Sequence, residues 1–294
     1  MKQTGMIRKA LSGFYYVLTD AGEYLPCKAK GIFRKEGRSP LVGDRVAVEN
    51  GVVAEIFPRK NEILRPPAAN LDIAVMVVSA VQPEPNTLVL DKLIAICEHK
   101  GIEPVLVFTK GDLGDVSALQ ELYRRAGFSV FTSVPGQTDY SGLLCCLAGK
   151  LSIFIGNSGV GKSTLMNALI PGIGLATGEV SDKLGRGRHT TRHVEIYELQ
   201  NGGLVADSPG FSTVELDKYG RIRKEELAGC FREFDSYITD CLFPDCSHRV
   251  EKGCALLAAL EAGEIARSRH ESYCAMYEDA MQVRDWEQKE EKRR

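Results

Sequence analysis

The chain has 294 residues and a formal net charge of −2, with 26% charged and 44% hydrophobic side chains. That length predicts more than one domain, and that balance excludes a mainly disordered, collagen-like or membrane-embedded chain. The longest strongly apolar stretch, Ile73 to Val78, falls far short of the roughly 20 residues that span a bilayer.

Residues 1–65 carry 12 basic and 7 acidic side chains, against 12 and 16 in 66–220 and 13 and 16 in 221–294. A basic first segment on an acidic body suits a module facing a polyanion, though ordinary surface variation produces such differences too. Gly13, Tyr15 and Tyr16 interrupt any signal-peptide core, so a cytoplasmic protein without membrane contact is expected. Within 1–65, Phe14 to Leu18 is β-prone and Asp44 to Glu49 alternates apolar with polar side chains. Asn50-Gly51 follows, then the apolar pattern resumes from Val52 to Phe57. Asn-Gly between two such runs is a strong hairpin signal, because both positions tolerate positive φ. A small antiparallel barrel is predicted. Arg65-Pro66-Pro67-Ala68-Ala69-Asn70 reads as a linker whose prolines block further pairing.

From residue 71 the texture changes. Leu71 to Ala80 is continuously apolar, as for a strand buried on both faces of a parallel sheet. Helices are expected near 87–99, 116–126 and 140–148, and strands at Pro104 to Phe108, Phe128 to Phe131 and Leu151 to Ile155. That alternation predicts an α/β domain with right-handed crossovers. Val194 to Leu199 and Leu204 to Ala206, around Asn201-Gly202-Gly203, read as an added hairpin. Beyond 220 the pattern turns helical, near 223–234, 254–262 and 264–288.

Gly156-Asn157-Ser158-Gly159-Val160-Gly161-Lys162-Ser163 fits G-x-x-x-x-G-K-[ST] between an expected strand and helix. Its glycines let successive N–H groups wrap phosphates at a helix N-terminus. Lys162 reaches β- and γ-phosphates, and the Ser163 hydroxyl suits Mg²⁺. Asp207-Ser208-Pro209-Gly210 ends a later strand, where Asp207 can hold Mg²⁺ through water and Gly210 can offer its N–H to a γ-phosphate. Thr109-Lys110-Gly111-Asp112 follows the expected strand Pro104 to Phe108. A buried Asp112 accepts from guanine N1–H and N2–H₂ together, whereas adenine leaves it unpaired; Lys110 is expected along the base.

Cys241, Cys246, His248 and Cys254 lie within fourteen residues and offer a closed Cys₃His set suited to one structural zinc. The alternative is three reduced cysteines and a surface histidine. Nine cysteines without a secretory signal make disulfides unexpected, and the other six fall mostly in apolar patterns expected in the core. Lys28, Lys30, Arg34 and Lys35, with Tyr24 and Phe33 interleaved, suit single-stranded RNA on a barrel surface. The alternative is a solvated loop with Phe33 in the core.

The base-reading motif precedes the phosphate loop here, an order that resembles the circularly permuted GTPases. With Asp207-Ser208-Pro209-Gly210-Phe211, Gly185-Arg186-Gly187-Arg188-His189-Thr190-Thr191 and the Cys/His set, the whole chain resembles the ribosome small-subunit-dependent GTPase (RsgA) family. The resemblance implies a multidomain protein: an OB-fold RNA-binding domain (1–65), a permuted P-loop GTPase domain (66–220) and a mostly helical zinc-binding domain (221–294). It implies GTP hydrolysis stimulated by the 30S subunit during late small-subunit maturation, with GTP/GDP, the 30S subunit and its rRNA as partners and a monomeric state. The nucleotide site comprises Gly156 to Ser163, Thr164, Thr109, Lys110, Asp112, Asp207, Gly210 and the pair Ser133-Val134, which stands where the family contacts guanine O6. Thr109 occupies a position that is often Asn in the family. Mg²⁺ is expected on Ser163, Asp207 and Thr191, with Thr190 as the alternative.

Many GTPases orient the attacking water with a Gln just after D-x-x-G, and Phe211 stands there instead. A ring cannot accept a hydrogen bond from water as an imidazole nitrogen does, which points to His189 beside Thr191, in the stretch where the family resemblance also places it. His189, Lys162 and Thr191 are the expected catalytic set; the alternative for His189 is contact with RNA or solvent.

Overall fold

The structure, a computed structural model, describes residues 2–35, 37–64, 66–175, 194–207 and 222–282. Its first part is built from β1 (Gln3–Leu11), β2 (Phe14–Thr19), β3 (Tyr24–Ala29), the short α1 (Gly31–Lys35), β4 (Arg45–Glu49) and β5 (Val52–Ile56). The order β1-β2-β3-β5-β4 closes because β1 also pairs with β4, Gln3 opposite Val48 through Met6 opposite Arg45. The result is a five-stranded barrel of OB type. Asn50 and Gly51 take φ of 51° and 72° between Glu49 and Val52, the two positive-φ positions that the hairpin requires.

The stretch expected to be a linker is instead a small ordered hairpin. β6 (Glu62–Leu64) pairs with β7 (Pro67–Ala69), and Ala68 bridges to Val42 of the barrel segment. Pro67 sits at the first position of its strand, where its missing N–H is tolerated, and burial of Ala68 and Ala69 holds the turn down.

The central sheet contains β8 (Ile73–Ser79), β9 (Glu103–Thr109), β10 (Ser129–Ser133), β11 (Leu151–Ile155), β12 (Glu195–Glu198) and β13 (Leu204–Asp207). The order is β10-β9-β8-β11-β13-β12, with all neighbours parallel except the last pair. Strand alternation assigns the two faces. Ala74, Met76, Leu106 and Phe108 pack with α2 (Thr87–His99) and α3 (Ser117–Arg125) through Leu90, Ile94 and Tyr123. Ile73, Val75, Val105 and Val107 pack with α4 (Ser141–Leu147) and α5 (Lys162–Leu169) through Leu143, Leu147, Leu165 and Met166.

Barrel and sheet are one hydrogen-bonded surface. β1 bulges between Ile7 and Lys9, and past the bulge Lys9 pairs with Glu195 of β12, where the two side chains form an ion pair at 2.8 Å. The bulge lets one strand serve the barrel at one end and the sheet at the other.

The expected helix at 223–234 is broken. α6 (Lys224–Leu227) is followed by 3₁₀ turns at Ala228–Cys230 and Arg232–Phe234, because Phe231 between them is extended (φ −119°, ψ 96°). That backbone lets Phe231 stack on Phe234 at 4.9 Å and meet Tyr273 edge-on at 5.5 Å, forming the core of the last part. α7 (Ala255–Glu261) and α8 (Arg267–Met281) complete it. This part is locked onto α2 by Arg269, 1% exposed, which pairs with Asp91 and Glu233 at 2.6 Å each, while the Tyr123 hydroxyl donates to Asp91 at 2.8 Å. Each charge in that group has an opposite partner, as burial demands, although Asp91 makes both contacts through Oδ1 and its buried Oδ2 has no hydrogen bond. No helix among the described residues is long and apolar enough to cross a membrane.

Candidate nucleotide and metal sites

β8, β9, β11 and β13 run parallel, so their carboxyl ends lie on one edge of the sheet, where ligands bind in such folds. The loops after β9 and β11 carry two of the expected motifs there and β13 ends on Asp207, in an order along the chain that their common edge makes irrelevant. β11 is buried throughout and launches the loop 156–161, after which α5 begins at Lys162. A side chain on Gly156 would place Cβ 2.8 Å from Val160 Cγ2 and 2.9 Å from the Val77 carbonyl, which only glycine avoids. Gly161, the residue before α5, has φ of +93°, again a glycine conformation. Lys162, its side chain 10% exposed, reaches Asp207 at the end of β13, Nζ to Oδ1 2.8 Å. These residues, 45 apart in the chain, thus meet where a phosphate and its cation are expected. Ser163 and Thr164 follow Lys162 in the first turn of α5.

The base-reading tetrapeptide is wired to the phosphate loop. The Thr109 hydroxyl, on a residue 4% exposed, donates to the Val160 carbonyl, and Val78 O lies 3.3 Å away. Lys110, at φ +57°, donates from Nζ to Gly159 O at 2.8 Å and to Gln82 O. Its ammonium is therefore anchored on the loop. Asp112, expected to be buried, lies exposed on the turn, in a cleft it shares with Gly111, Gln120 and Thr132. Its desolvation therefore awaits a base lying over it. Ser133 is buried and its Oγ lies 2.8 Å from the Tyr140 hydroxyl. The Val134 N–H, expected to face guanine O6, instead donates to Thr138 Oγ1 at 2.7 Å within its own turn. His189, Thr190, Thr191 and Ser208 to Phe211, with Gly210, lie outside the described residues.

The Cys/His set converges. Cys241 Sγ lies 3.8 Å from Cys254 Sγ, and His248 Nδ1 lies 3.4 and 3.6 Å from those two sulfurs. The four donor atoms, with Cys246 Sγ, all fall within 4.8 Å of one another. A tetrahedral zinc with ordinary bond lengths requires S···S edges of about 3.8 Å and S···N edges of about 3.5 Å. The donors fit a metal, and the sulfur pair is far too long for a disulfide. Burial pushes the Cys246 thiol up to about 12 and raises Cys254, so without a metal these sulfurs keep their protons. Burial also lowers the His248 pKa, leaving a neutral imidazole able to donate a lone pair.

Glu251, which sequence reasoning missed, shapes this knuckle. It accepts from the Ser247 hydroxyl and from the Ser247, Arg249 and Val250 N–H groups, the latter at 2.9 to 3.1 Å, and these bonds, the hydroxyl first, outweigh burial and hold its carboxyl far below the usual range. That bracing supports His248 in a left-handed conformation, φ +57°. The signal was a carboxylate three residues after the histidine, legible only once the turn is known. Gly253, φ +75°, closes the knuckle where a Cβ would crowd Leu242 at 3.0 Å. Of the remaining cysteines, Cys27, Cys97 and Cys230 are buried as expected, whereas Cys145 is exposed.

On the barrel, Lys28, Lys30, Arg34 and Lys35 are all exposed. Phe33 is in the core, 8% exposed, so it offers no ring to a base. Tyr24 is exposed as expected and stacks on the half-buried Tyr16 at 5.9 Å, and a further exposed ring, Phe14, lies under the Lys28 ammonium at 5.4 Å. Phe14 and Tyr16 sit one strand away from the basic run, which is why sequence proximity did not single them out.

The RsgA GTPase family model matches residues 56–217 and the RsgA N-terminal domain model residues 4–52. The small ribosomal subunit biogenesis GTPase RsgA of Geobacillus kaustophilus is 45% identical over 281 residues, covering 92% of this chain and 94% of that protein. Its counterpart in Streptococcus pneumoniae is 44% identical over 278 residues, covering 92% and 91%. Among solved structures, YloQ, a circularly permuted GTPase, aligns with a TM-score of 0.77 at 36% identity over 96% of both chains. YjeQ from Thermotoga maritima aligns at 0.79 and 32% identity, over 97% and 100%. With the permuted motifs gathered on one sheet edge, the barrel ahead of them and the Cys₃His knuckle behind, the chain belongs to the RsgA family of circularly permuted GTPases.

Proposed function

We propose that this protein hydrolyses GTP to GDP and phosphate on the 30S ribosomal subunit, stimulated by that subunit, during its late maturation. The observation that carries the hydrolase reading is the meeting of Lys162 and Asp207 at 2.8 Å beside a loop held open by glycines. Residues 156–164 receive the phosphates, with Lys162 neutralising charge that builds between the β- and γ-phosphates. Asp112 reads the base; Ser133 and Val134 line its far side, the Val134 N–H becoming available only if the Thr138 bond opens. Ser163, Asp207 and Thr191 would supply hard oxygen donors for Mg²⁺, and a bound Mg²⁺ would supply positive charge that neutralises phosphate oxygens. Gly210 faces the γ-phosphate and His189 the attacking water.

Residues 1–65, 66–220 and 221–294 serve as RNA-binding, GTPase and zinc domains of a cytoplasmic, monomeric factor that makes no membrane contact. Lys28, Lys30, Arg34 and Lys35 contact rRNA phosphates, with the exposed Tyr24 and Phe14 offering stacking surfaces. The relatives named for small-subunit biogenesis support the ribosomal assignment. The test is turnover of GTP with and without purified 30S particles: strong stimulation is expected, and equal rates would overturn the reading.

One zinc is held by Cys241, Cys246, His248 and Cys254. Cys246→Ser is expected to lower zinc, after a chelator wash, from about one equivalent to almost none, and to loosen the last domain, because metal binding there is folding energy. GDP affinity should stay within about twofold, as the knuckle and the phosphate loop share no residue. Elemental analysis and a GDP titration on the same sample check both halves. No zinc in the unmutated protein sinks the assignment.

A further inference from the structure

His270 and Tyr273 lie three residues apart on α8, hence on one face of that helix, and both reach the backbone of the Cys/His knuckle. His270 Nε2 lies 2.8 Å from the His248 carbonyl oxygen, in a buried contact spanning 22 residues. A carbonyl oxygen only accepts, so Nε2 carries the proton and donates it. One residue earlier, the Tyr273 hydroxyl donates to the Ser247 carbonyl at 2.9 Å. Glu251 meanwhile takes the N–H groups of Ser247 and Arg249. The two carbonyls of the turn are thus held by α8, and the neighbouring amides by the knuckle's own carboxylate.

These bonds act on a residue that needs holding. His248 sits at φ +57°, a region that a side chain with a Cβ disfavours. Its backbone conformation sets the direction of the Cα–Cβ bond. That direction decides whether Nδ1 meets the Cys241 and Cys254 sulfurs, which it now does at 3.4 and 3.6 Å. Releasing the carbonyl would let the residue relax toward negative φ and swing the imidazole away. His270 is not itself a donor to the metal, because its Nε2 is committed to the carbonyl and the converging set consists of Cys241, Cys246, His248 and Cys254.

The helix is fixed in turn. Arg269, next to His270, is 1% exposed and pairs with Asp91 of α2 and with Glu233 at 2.6 Å each. Adjacent helical residues diverge by about 100°, so the turn that clamps onto α2 through Arg269 presents His270 to the knuckle.

We infer that His270 is a positioning residue of the metal centre: it holds the His248 backbone so that Nδ1 faces the sulfurs, and Tyr273 does the same for Ser247. This rests on the zinc reading of the knuckle.

The experiment follows zinc release to a chromogenic chelator from the full-length protein and from His270→Leu, His270→Gln and Tyr273→Phe. His270→Leu removes the donor and keeps an apolar side chain in place, so zinc should leave at least about tenfold faster. Glutamine can set an amide N–H near the position of Nε2, and His270→Gln should recover most of the wild-type rate. Tyr273→Phe loses one hydroxyl and should release zinc several-fold faster. Cobalt-substituted protein adds a spectroscopic readout: the d–d bands of the tetrahedral site should shift and weaken in His270→Leu and return in His270→Gln. Thermal unfolding and GDP titration monitor integrity, and Tyr273→Phe carries the comparison should His270→Leu not fold. Unchanged zinc release in His270→Leu, or in Tyr273→Phe where that variant stands alone, overturns the inference. So does an unmoved cobalt spectrum, or a His270→Gln variant that behaves like leucine, since histidine would then only fill space. A wild-type protein that holds no zinc refutes the zinc reading itself, a failure visible before any variant is made.

Discussion

Asp112→Asn should lose GTP affinity by on the order of a hundredfold or more and gain affinity for xanthosine triphosphate. The carboxylate is an acceptor on both oxygens, matching the paired N1–H and N2–H₂ donors of guanine. An amide in its place turns one N–H donor toward another, and a base that covers the exposed Asp112 turn seals that mismatch from water. Xanthine carries an oxygen at C2, which the amide donates to. Because Thr109 and Lys110 are bonded to the phosphate loop, the variant retains its grip on phosphates and the effect stays confined to the base. Competition titration with GTP, ATP and xanthosine triphosphate measures the switch, and undiminished GTP binding would remove Asp112 from the role.

His189→Ala is expected to bind GTP and the small subunit normally while its ribosome-stimulated turnover falls about 10²- to 10⁴-fold, the usual contribution of a positioned proton acceptor. The reasoning starts from Phe211, which occupies the place where many GTPases carry the water-orienting Gln. A neutral imidazole nitrogen can accept a hydrogen bond from water, which the Phe211 ring cannot do in the same way. Single-turnover hydrolysis with saturating 30S particles separates the chemical step from binding. Near wild-type stimulated rates would make His189 a bystander and send the search to a group supplied by the ribosome.

Much of this architecture was written in local patterns. The unbroken apolar run through Ile73 to Val78 announced a strand covered on both faces, and the structure buries alternate residues against helices on opposite sides. Asn50-Gly51 specified its own turn, since few other pairs take two positive φ values without cost. The phosphate-loop glycines and the Cys/His set were legible for the same reason: each is a short segment whose residue types suffice for its geometry. The errors came where tertiary contact overruled local preference. Pro66-Pro67 signalled a break, but burial of Ala68 and Ala69 ordered the segment as a hairpin. A helical pattern over 223–234 yielded to an extended Phe231, which thereby stacks on Phe234 and meets Tyr273 edge-on in the core of the last part.

What the sequence alone determined, then, is whatever depends on residues a few positions apart: strand and helix periods, the hairpin turn, the phosphate loop, and the donors of the Cys₃His knuckle. Only the tertiary structure decided that Arg269 is buried against Asp91, 178 residues away, clamping the last part of the chain to α2. Only it decided that β1 leaves the barrel to pair with β12, and that the Thr109 hydroxyl donates to the Val160 carbonyl. The physical reason is common to all three. A hydrogen bond or ion pair between distant segments is specified by where the whole sheet and its helices bring their ends, and no local propensity encodes the partner that a buried donor will meet.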